Sequence, residues 1–294
     1  MEEIGESGGR RAVLRLEGPE KPLFKPNPHR WAALRLAADA GVSPALWHLN
    51  EVEGVSVSAF ADAQPLTAYP DGAEGLAKAL GALVLELQAT APLPPLVDYR
   101  ELVSGMLEKV RALGVFVEGA LGPHLEAMAR LSESLEWEPD DFVSAHNDPN
   151  PGNLIFDGAR LWLIDWESAY GNDPLVDLAI LADSLAHTPE LVDALLTAWR
   201  GAPPDAALRA RFEKVRRLTR LYYGCFLVDA AAPKTEPQIS ARPPAPGEIA
   251  EAIAAGRLVK GSPEAALLLG EAYLEGFLTG ELPVGLREAV EPLV

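Results

Sequence analysis

Residues 142–167 read FVSAHNDPNPGNLIFDGARLWLIDWE. Two apolar runs, Leu154–Phe156 and Leu161–Ile164, flank Asp157-Gly158, a strong tight-turn pair. This predicts a hairpin that returns the chain at Asp165 beside Asn153. His146, Asp148, Asn150 and Asn153 lie just ahead of it, on an irregular loop stiffened by Pro149 and Pro151. Two carboxylates and an amide are thereby gathered at the mouth of one apolar hairpin.

Those side chains suit hard-cation chemistry. Mg²⁺ takes oxygen ligands, commonly one or two from protein and the rest from phosphate and water. An Asn carbonyl and an Asp carboxylate can supply the protein share. A further carboxylate outside the metal shell can orient or deprotonate an attacking hydroxyl. Phosphoryl transfer needs this equipment, because positioning and charge neutralisation do most of its work. The bland alternative is an ordinary polar turn, since Asn, Asp, Pro and Gly dominate turns.

The order His146-x-Asp148-x-x-x-x-Asn153, a hairpin, then Ile164-Asp165-Trp166-Glu167 resembles the signature of the aminoglycoside phosphotransferase and choline kinase superfamily, small-molecule relatives of the protein kinases. Gly171-Asn172-Asp173-Pro174-x-x-Asp177-Leu178-Ala179 continues the resemblance, which is specific over about residues 142–182. The HND and DWE variants and the tract AYGNDPLVDLA resemble the bacterial choline and thiamine kinase-like members. The resemblance implies an α+β, protein-kinase-like two-lobe fold with a small, truncated β-rich N-lobe and a large, mainly helical C-lobe. It implies a nucleotide-binding lobe over residues 1–62. A helical lobe would then cover residues 63–294, with a catalytic loop at 146–153 and a metal-binding segment at 164–167.

The same resemblance assigns roles. Asp148 is expected to be the catalytic base, Asn153 and Asp165 the Mg²⁺ ligands, His146 a brace of the loop, and Asp177 a carboxylate that hydrogen-bonds the catalytic loop. Glu167 could reach a second metal or the acceptor. Tyr222 and Tyr223, with Phe226, share one helix in a region where such families build acceptor pockets. Aromatic faces attract quaternary ammonium groups, and helix core is the competing reading for at least two of the three. ATP and Mg²⁺ are the implied cofactors. The implied partner is a small, amine-bearing molecule with a free hydroxyl, of the choline, ethanolamine or thiamine kind. An aminoglycoside acceptor is the first alternative, and a non-catalytic, pseudokinase-like binding protein the second.

Working outward, RAVLRL at residues 11–16 reads as a strand after the turn signal Gly8-Gly9. Arg15 stands where the resemblance expects a phosphate-binding Lys or Arg; a solvated strand residue is the equal alternative. Gly5–Gly9 is either a shortened phosphate-covering loop or the turn of a truncated hairpin. Asn27-Pro28 predicts the start of a helix ending near Gly41. The resemblance expects a Glu on that helix to pair with the strand cation, and residues 30–38 (RWAALRLAA) contain none. Strands are expected at 45–50 and 55–60, followed by a connector at 61–72. Helices are expected at 73–90, 98–112, 118–136, 174–187, 189–200, 205–231, 248–256 and 263–278. Asp173 ahead of Pro174 reads as a helix cap. The proline-rich 233–247 reads as a surface loop or lid. Trp166 and Cys225 suit the core, and His29, His48, His124 and His187 suit surface or half-buried positions.

Composition narrows the classes. At 294 residues, 48% hydrophobic and 23% charged, the chain can bury a core without cross-links. Its net charge of -18 argues against nucleic-acid binding, where cationic side chains must face phosphates. The single cysteine excludes a disulfide framework and fits a reducing, cytoplasmic setting. Met1-Glu2-Glu3 leads into no apolar stretch, so no secretory signal is expected. No run long and apolar enough to span a membrane is present.

Overall fold

The computed structural model describes residues 2–7, 10–17, 27–232, 251–252, 254–256, 258–259 and 262–282. The expected lid at 233–247 lies outside them, and of the expected helix 248–256 only residues 251, 252 and 254 are described as helical. The class is α+β, as expected. The described residues contain no helix long and apolar enough to cross a membrane.

The chain forms two compact units. One comprises residues 1–96 and 137–206, the other 97–136 and 207–294. The nucleotide-binding lobe of residues 1–62 is a functional partition that these units do not address.

The first unit opens with an antiparallel sheet of β1 (Glu2–Ser7), β2 (Arg10–Leu16), β3 (Leu46–Asn50) and β4 (Val55–Ala59), in the order β1-β2-β4-β3. Gly5 pairs with Ala12 inside the β1–β2 ladder, so Gly5–Ser7 are strand rather than a covering loop. Helix α1 (Arg30–Asp39) crosses between β2 and β3. It starts three residues after Asn27, because the Asn27 side chain folds back to accept the His29 N–H and its carbonyl accepts the Arg30 N–H.

Helix α2 (Gly72–Gln88) buries Leu76, Ala77, Leu80, Leu83, Val84 and Leu87, a stripe at helical spacing. Each such leucine contributes roughly 1.5–3 kcal/mol over its exposed state. Helix α6 (Pro189–Arg200) packs on it. A Cβ on Gly81 would lie 2.3 Å from the Leu195 carbonyl oxygen, so glycine permits that approach. Helix α5 (Val176–Leu185) is buried along nearly its whole length, its mostly apolar sequence carrying Asp177, Asp183 and Ser184 inside with it.

In the second unit the described elements are the helices α3 (Tyr99–Ala112), α4 (Gly122–Ser134), α7 (Ala206–Ala231) and α8 (Pro263–Thr279). Its core includes Leu227, Ala265, Leu269 and Ala272. His124 corrects an expectation. It is 8% exposed, stacked on Phe277 at 6.2 Å, and burial lowers its basicity. Phe277 and His124 face each other across α8 and α4, a tertiary pairing that local spacing does not announce. Cys225 is fully buried.

Candidate active site

The site is built on two short ladders of the first unit. Strand β5 (Val143–Ala145) pairs antiparallel with β8 (Tyr170–Asn172), and β6 (Leu154–Phe156) with β7 (Leu161–Leu163). The β6–β7 hairpin closes at Gly158-Ala159. The Asp157 side chain accepts the N–H groups of Ala159 and Arg160 and the indole N–H of Trp162. The Ile164 N–H donates to the Asn153 carbonyl at 3.0 Å, which sets the two ends of the hairpin side by side.

The loop between β5 and the hairpin is held from beneath. Asp177, at the start of α5, is 1% exposed. One of its carboxylate oxygens accepts the His146 N–H and the other the Asn147 N–H, each at 2.8 Å. Burial nevertheless raises its carboxyl above the usual range, while His146 and the two amides pull the other way. Asn147 has φ +64°. Asparagine tolerates that left-handed conformation better than most residues. Its amide donates to the Ser168 and Tyr170 carbonyls and accepts from Asn172 at 2.7 Å.

His146 is fully buried and bridges both halves of the site. Its Nε2 lies 2.8 Å from the Ile164 carbonyl and its Nδ1 accepts the Asp148 N–H at 3.3 Å. Those contacts select the Nε2–H tautomer. Its ring meets the buried Trp166 edge-on at 4.7 Å.

The Asp148 carboxylate accepts from the Asn150 side-chain amide at 2.9 Å and from that of Asn153 at 3.4 Å. Asn153 also donates to the Asp148 carbonyl at 2.9 Å. Its nitrogen is thus committed to Asp148, and its oxygen is the atom it can offer a cation. Asp165, two residues past β7, has φ +66° and its carboxylate turned to Arg15. Arg15 Nη1 donates to Asp165 Oδ1 at 2.7 Å, and Nη2 reaches Glu167 Oε2 at 3.5 Å. Burial and the neighbouring Asp165 raise the Glu167 carboxyl above its usual range; Arg15 opposes them, and Glu17 and Asp148 add to them.

The structure therefore brings together Arg15, His146, Asp148, Asn153, Asp165, Glu167 and Asp177. An amide oxygen and a carboxylate are a fitting protein share for Mg²⁺, which takes its remaining ligands from phosphate and water. Tyr222 and Tyr223 belong to the second unit. They are half-buried, with Tyr99, Phe226 and Tyr273 in the same aromatic cluster, and Phe226 is 44% exposed. Asp173 accepts the Leu175 N–H at 2.9 Å, the turn that leads into α5.

Three residues escape the sequence reading. Asn147 and Asn172 cross-link the loop to β8. Asn27 donates to the Ala169 carbonyl at 2.7 Å and ties the start of α1 to the segment after Glu167. The N of the HND triplet was the one visible signal for Asn147; the partners of the other two follow only from the fold.

Solved structures share the fold. A choline/ethanolamine kinase family protein from Mesorhizobium loti superposes over 100% of this chain and 92% of its own, with a TM-score of 0.64 at 18% identity. Choline kinase LicA of Streptococcus pneumoniae gives 0.58 at 16% identity over 80% of this chain and 83% of its own. A spectinomycin phosphotransferase in complex with ADP and spectinomycin gives 0.56 at 15% over 99% of this chain and 89% of its own. At these identities the likeness is one of fold, the protein-kinase-like one. Among curated proteins, LicA of Haemophilus influenzae is 39% identical over 54 residues, 18% of this chain, and an uncharacterized protein of Metamycoplasma hominis is 35% identical over 72 residues, 23% of this chain. Those matches span only 20% and 14% of the relatives' own length. The model of the phosphotransferase enzyme family matches residues 3–212, which include Arg15 and the whole segment from β5 to Asp177, and the chain belongs to that family.

Proposed function

We propose that this protein transfers the terminal phosphoryl group of ATP, with Mg²⁺, to a hydroxyl of a small amine-bearing molecule of the choline, ethanolamine or thiamine type. The observation that carries the reading is the Asp148 carboxylate, fixed by Asn150 and Asn153, beside the hairpin end that presents Asp165. A base held by two amides is positioned before the acceptor arrives.

In this reading Asp148 accepts a hydrogen bond from the acceptor hydroxyl, aligns its oxygen with the γ-phosphorus, and takes the proton as the new P–O bond forms and the bond to the bridging oxygen breaks, releasing ADP. Asn153 and Asp165 would hold Mg²⁺, which neutralises charge on the phosphate oxygens. Arg15 contacts the phosphates through its planar fork. His146 and Asp177 keep the loop in shape. Glu167 serves the acceptor side, an acid being chemistry an ammonium group seeks. The amine preference draws support from the choline kinase fold relatives, and the reaction calls for no nucleic acid or membrane. A cytoplasmic setting, where ATP is plentiful, fits the single buried cysteine.

A non-catalytic binding protein is the second reading, favoured by one contact: Arg15 lies directly on Asp165. A panel of amino-alcohols, thiamine and aminoglycosides, assayed with Mg·ATP against an Asp148→Ala variant, decides. Turnover of an amino-alcohol, lost by at least about 10³-fold in the variant, supports the proposal. Preference for an aminoglycoside moves the acceptor class. No turnover with any acceptor supports the binder.

A further inference from the structure

The expected strand cation finds no helix Glu, yet strand and helix are tied by charge. Arg30, the first residue of α1, donates from Nε to Glu17 Oε1 at 3.0 Å and from Nη2 to Glu17 Oε2 at 3.1 Å. The polarity is inverted: the acid is on the strand side and the cation on the helix. The two parallel bonds form the fork geometry that makes Arg–carboxylate pairs strong and directional. The pair lies at the surface, its side chains partly covered: Arg30 is 20% and Glu17 33% exposed. The Arg30 guanidinium also donates to the Asn27 carbonyl at 3.1 Å, and Asn27 is in turn tied to Ala169.

Glu17 follows Arg15 by two residues. The Glu17 N–H donates to the Gly54 carbonyl at 2.9 Å, so the β2–β4 ladder continues through it. Residues two apart on a strand share a face and sit about 6.6 Å apart, within reach of two long side chains. The site edge thus holds two ion-paired groups: Arg15 with Asp165 and Glu167, and, two residues along the chain, Glu17 with Arg30. Without Arg30, Glu17 would be a second acid competing for Arg15 at the place where a polyphosphate must be received.

We infer that Arg30 is a positioning residue for nucleotide binding: by engaging Glu17 through a two-point fork it keeps Arg15 directed to the metal and phosphate edge at Asp165. The inference rests on the assignment of Arg15 to the nucleotide phosphates. It differs from a simple tether in one respect. A tether is broken equally by removing either partner. A shield fails when the shielding group is lost, and is dispensable once the group it shields is gone.

Calorimetric titration of the full chain with Mg·ADP reads this without turnover. Arg30→Gln is expected to weaken binding about 10-fold, Glu17→Gln at most about 2-fold, and the double variant Glu17→Gln/Arg30→Gln to return within about 3-fold of the parent. Thermal melts of each variant show whether it is folded; should Arg30→Gln not fold, Arg30→Lys, which keeps the charge but not the fork, takes its place and is expected to give a smaller loss that Glu17→Gln likewise rescues. Equal damage from Glu17→Gln and Arg30→Gln, or a double variant as weak as the single, overturns the inference and leaves a plain tether. Mg·ADP binding by the parent together with no effect of Arg30→Gln overturns the inference alone. No binding by the parent overturns the nucleotide assignment and the inference with it.

Discussion

Asp177 accepts the His146 N–H at 2.8 Å across 31 residues of chain, and it does so from a fully buried position. Its other oxygen takes the Asn147 N–H, so one carboxylate satisfies the two amides that turn the chain out of β5 and into the Asp148 loop. Asp177→Ala leaves both N–H groups buried and unanswered, at about 1–3 kcal/mol each. The expected result is a loss of about 2–5 kcal/mol in urea denaturation. Asp177→Asn keeps one acceptor and points a donor at the other amide, so its loss is expected to be smaller. Equal losses in the two variants would show that side-chain volume, rather than hydrogen bonding, holds the loop.

Gly171 lies in β8 with its N–H on the Pro94 carbonyl at 3.0 Å. A Cβ there would stand 2.2 Å from the Leu93 carbonyl oxygen, a backbone atom with little room to retreat. Gly171→Ala is expected to push β8 off the 91–94 segment, to destabilise by about 1–3 kcal/mol, and to disturb the β5–β8 ladder, which carries Asn172 and, through it, the Asn147 contact. A chemical-denaturation midpoint within about 0.3 kcal/mol of the parent would contradict it.

What the sequence reveals of this site divides along a physical line. The hairpin was legible because two apolar runs around Asp157-Gly158 admit little else, and the helices because their apolar residues recur at local spacing. The grouping of His146, Asp148, Asn153 and Asp165 followed from that hairpin alone. The Arg30–Glu17 pair was not legible, since it joins residues whose proximity depends on how α1 meets β2. A search for an acid on the helix could not find an acid on the strand. His124 escaped for the same reason, its burial being set by Phe277 more than 150 residues away. The start of α1 shifted because the Asn27 side chain made a local turn, a choice asparagine makes as readily as capping.

Cys225 supplies a probe of the second unit. Burial pushes its thiol up to about 12, with Asp229 adding to the effect. The thiolate is the reactive form, so at pH 8 the folded protein is expected to leave a disulfide reagent unconsumed. Unfolding in guanidinium should release one equivalent, this being the chain's single cysteine. Rapid reaction in the folded state would mean that α7 opens locally.

Glu167 gives the fold a dependence on pH whose sign can be worked out. Burial and the Asp165 charge raise its carboxyl above the ordinary glutamate value, with Glu17 and Asp148 adding and Arg15 opposing. A raised folded value means the fold prefers the protonated form. The favourable contribution is fully present below the ordinary glutamate value of 4.5 and is lost as pH rises through the raised folded value. Glu167→Gln imitates the protonated side chain at every pH. It is therefore expected to match the parent near pH 4 and to exceed it at pH 7. The gain should stay below about 1 kcal/mol, because the side chain is 65% exposed and solvent screens its neighbours. Thermal melts of both proteins across pH 4 to 7 measure the difference. A variant less stable than the parent at pH 7 would mean that the 3.5 Å contact with Arg15 outweighs the repulsion from Asp165, and that Glu167 holds the guanidinium in place rather than crowding the acidic edge.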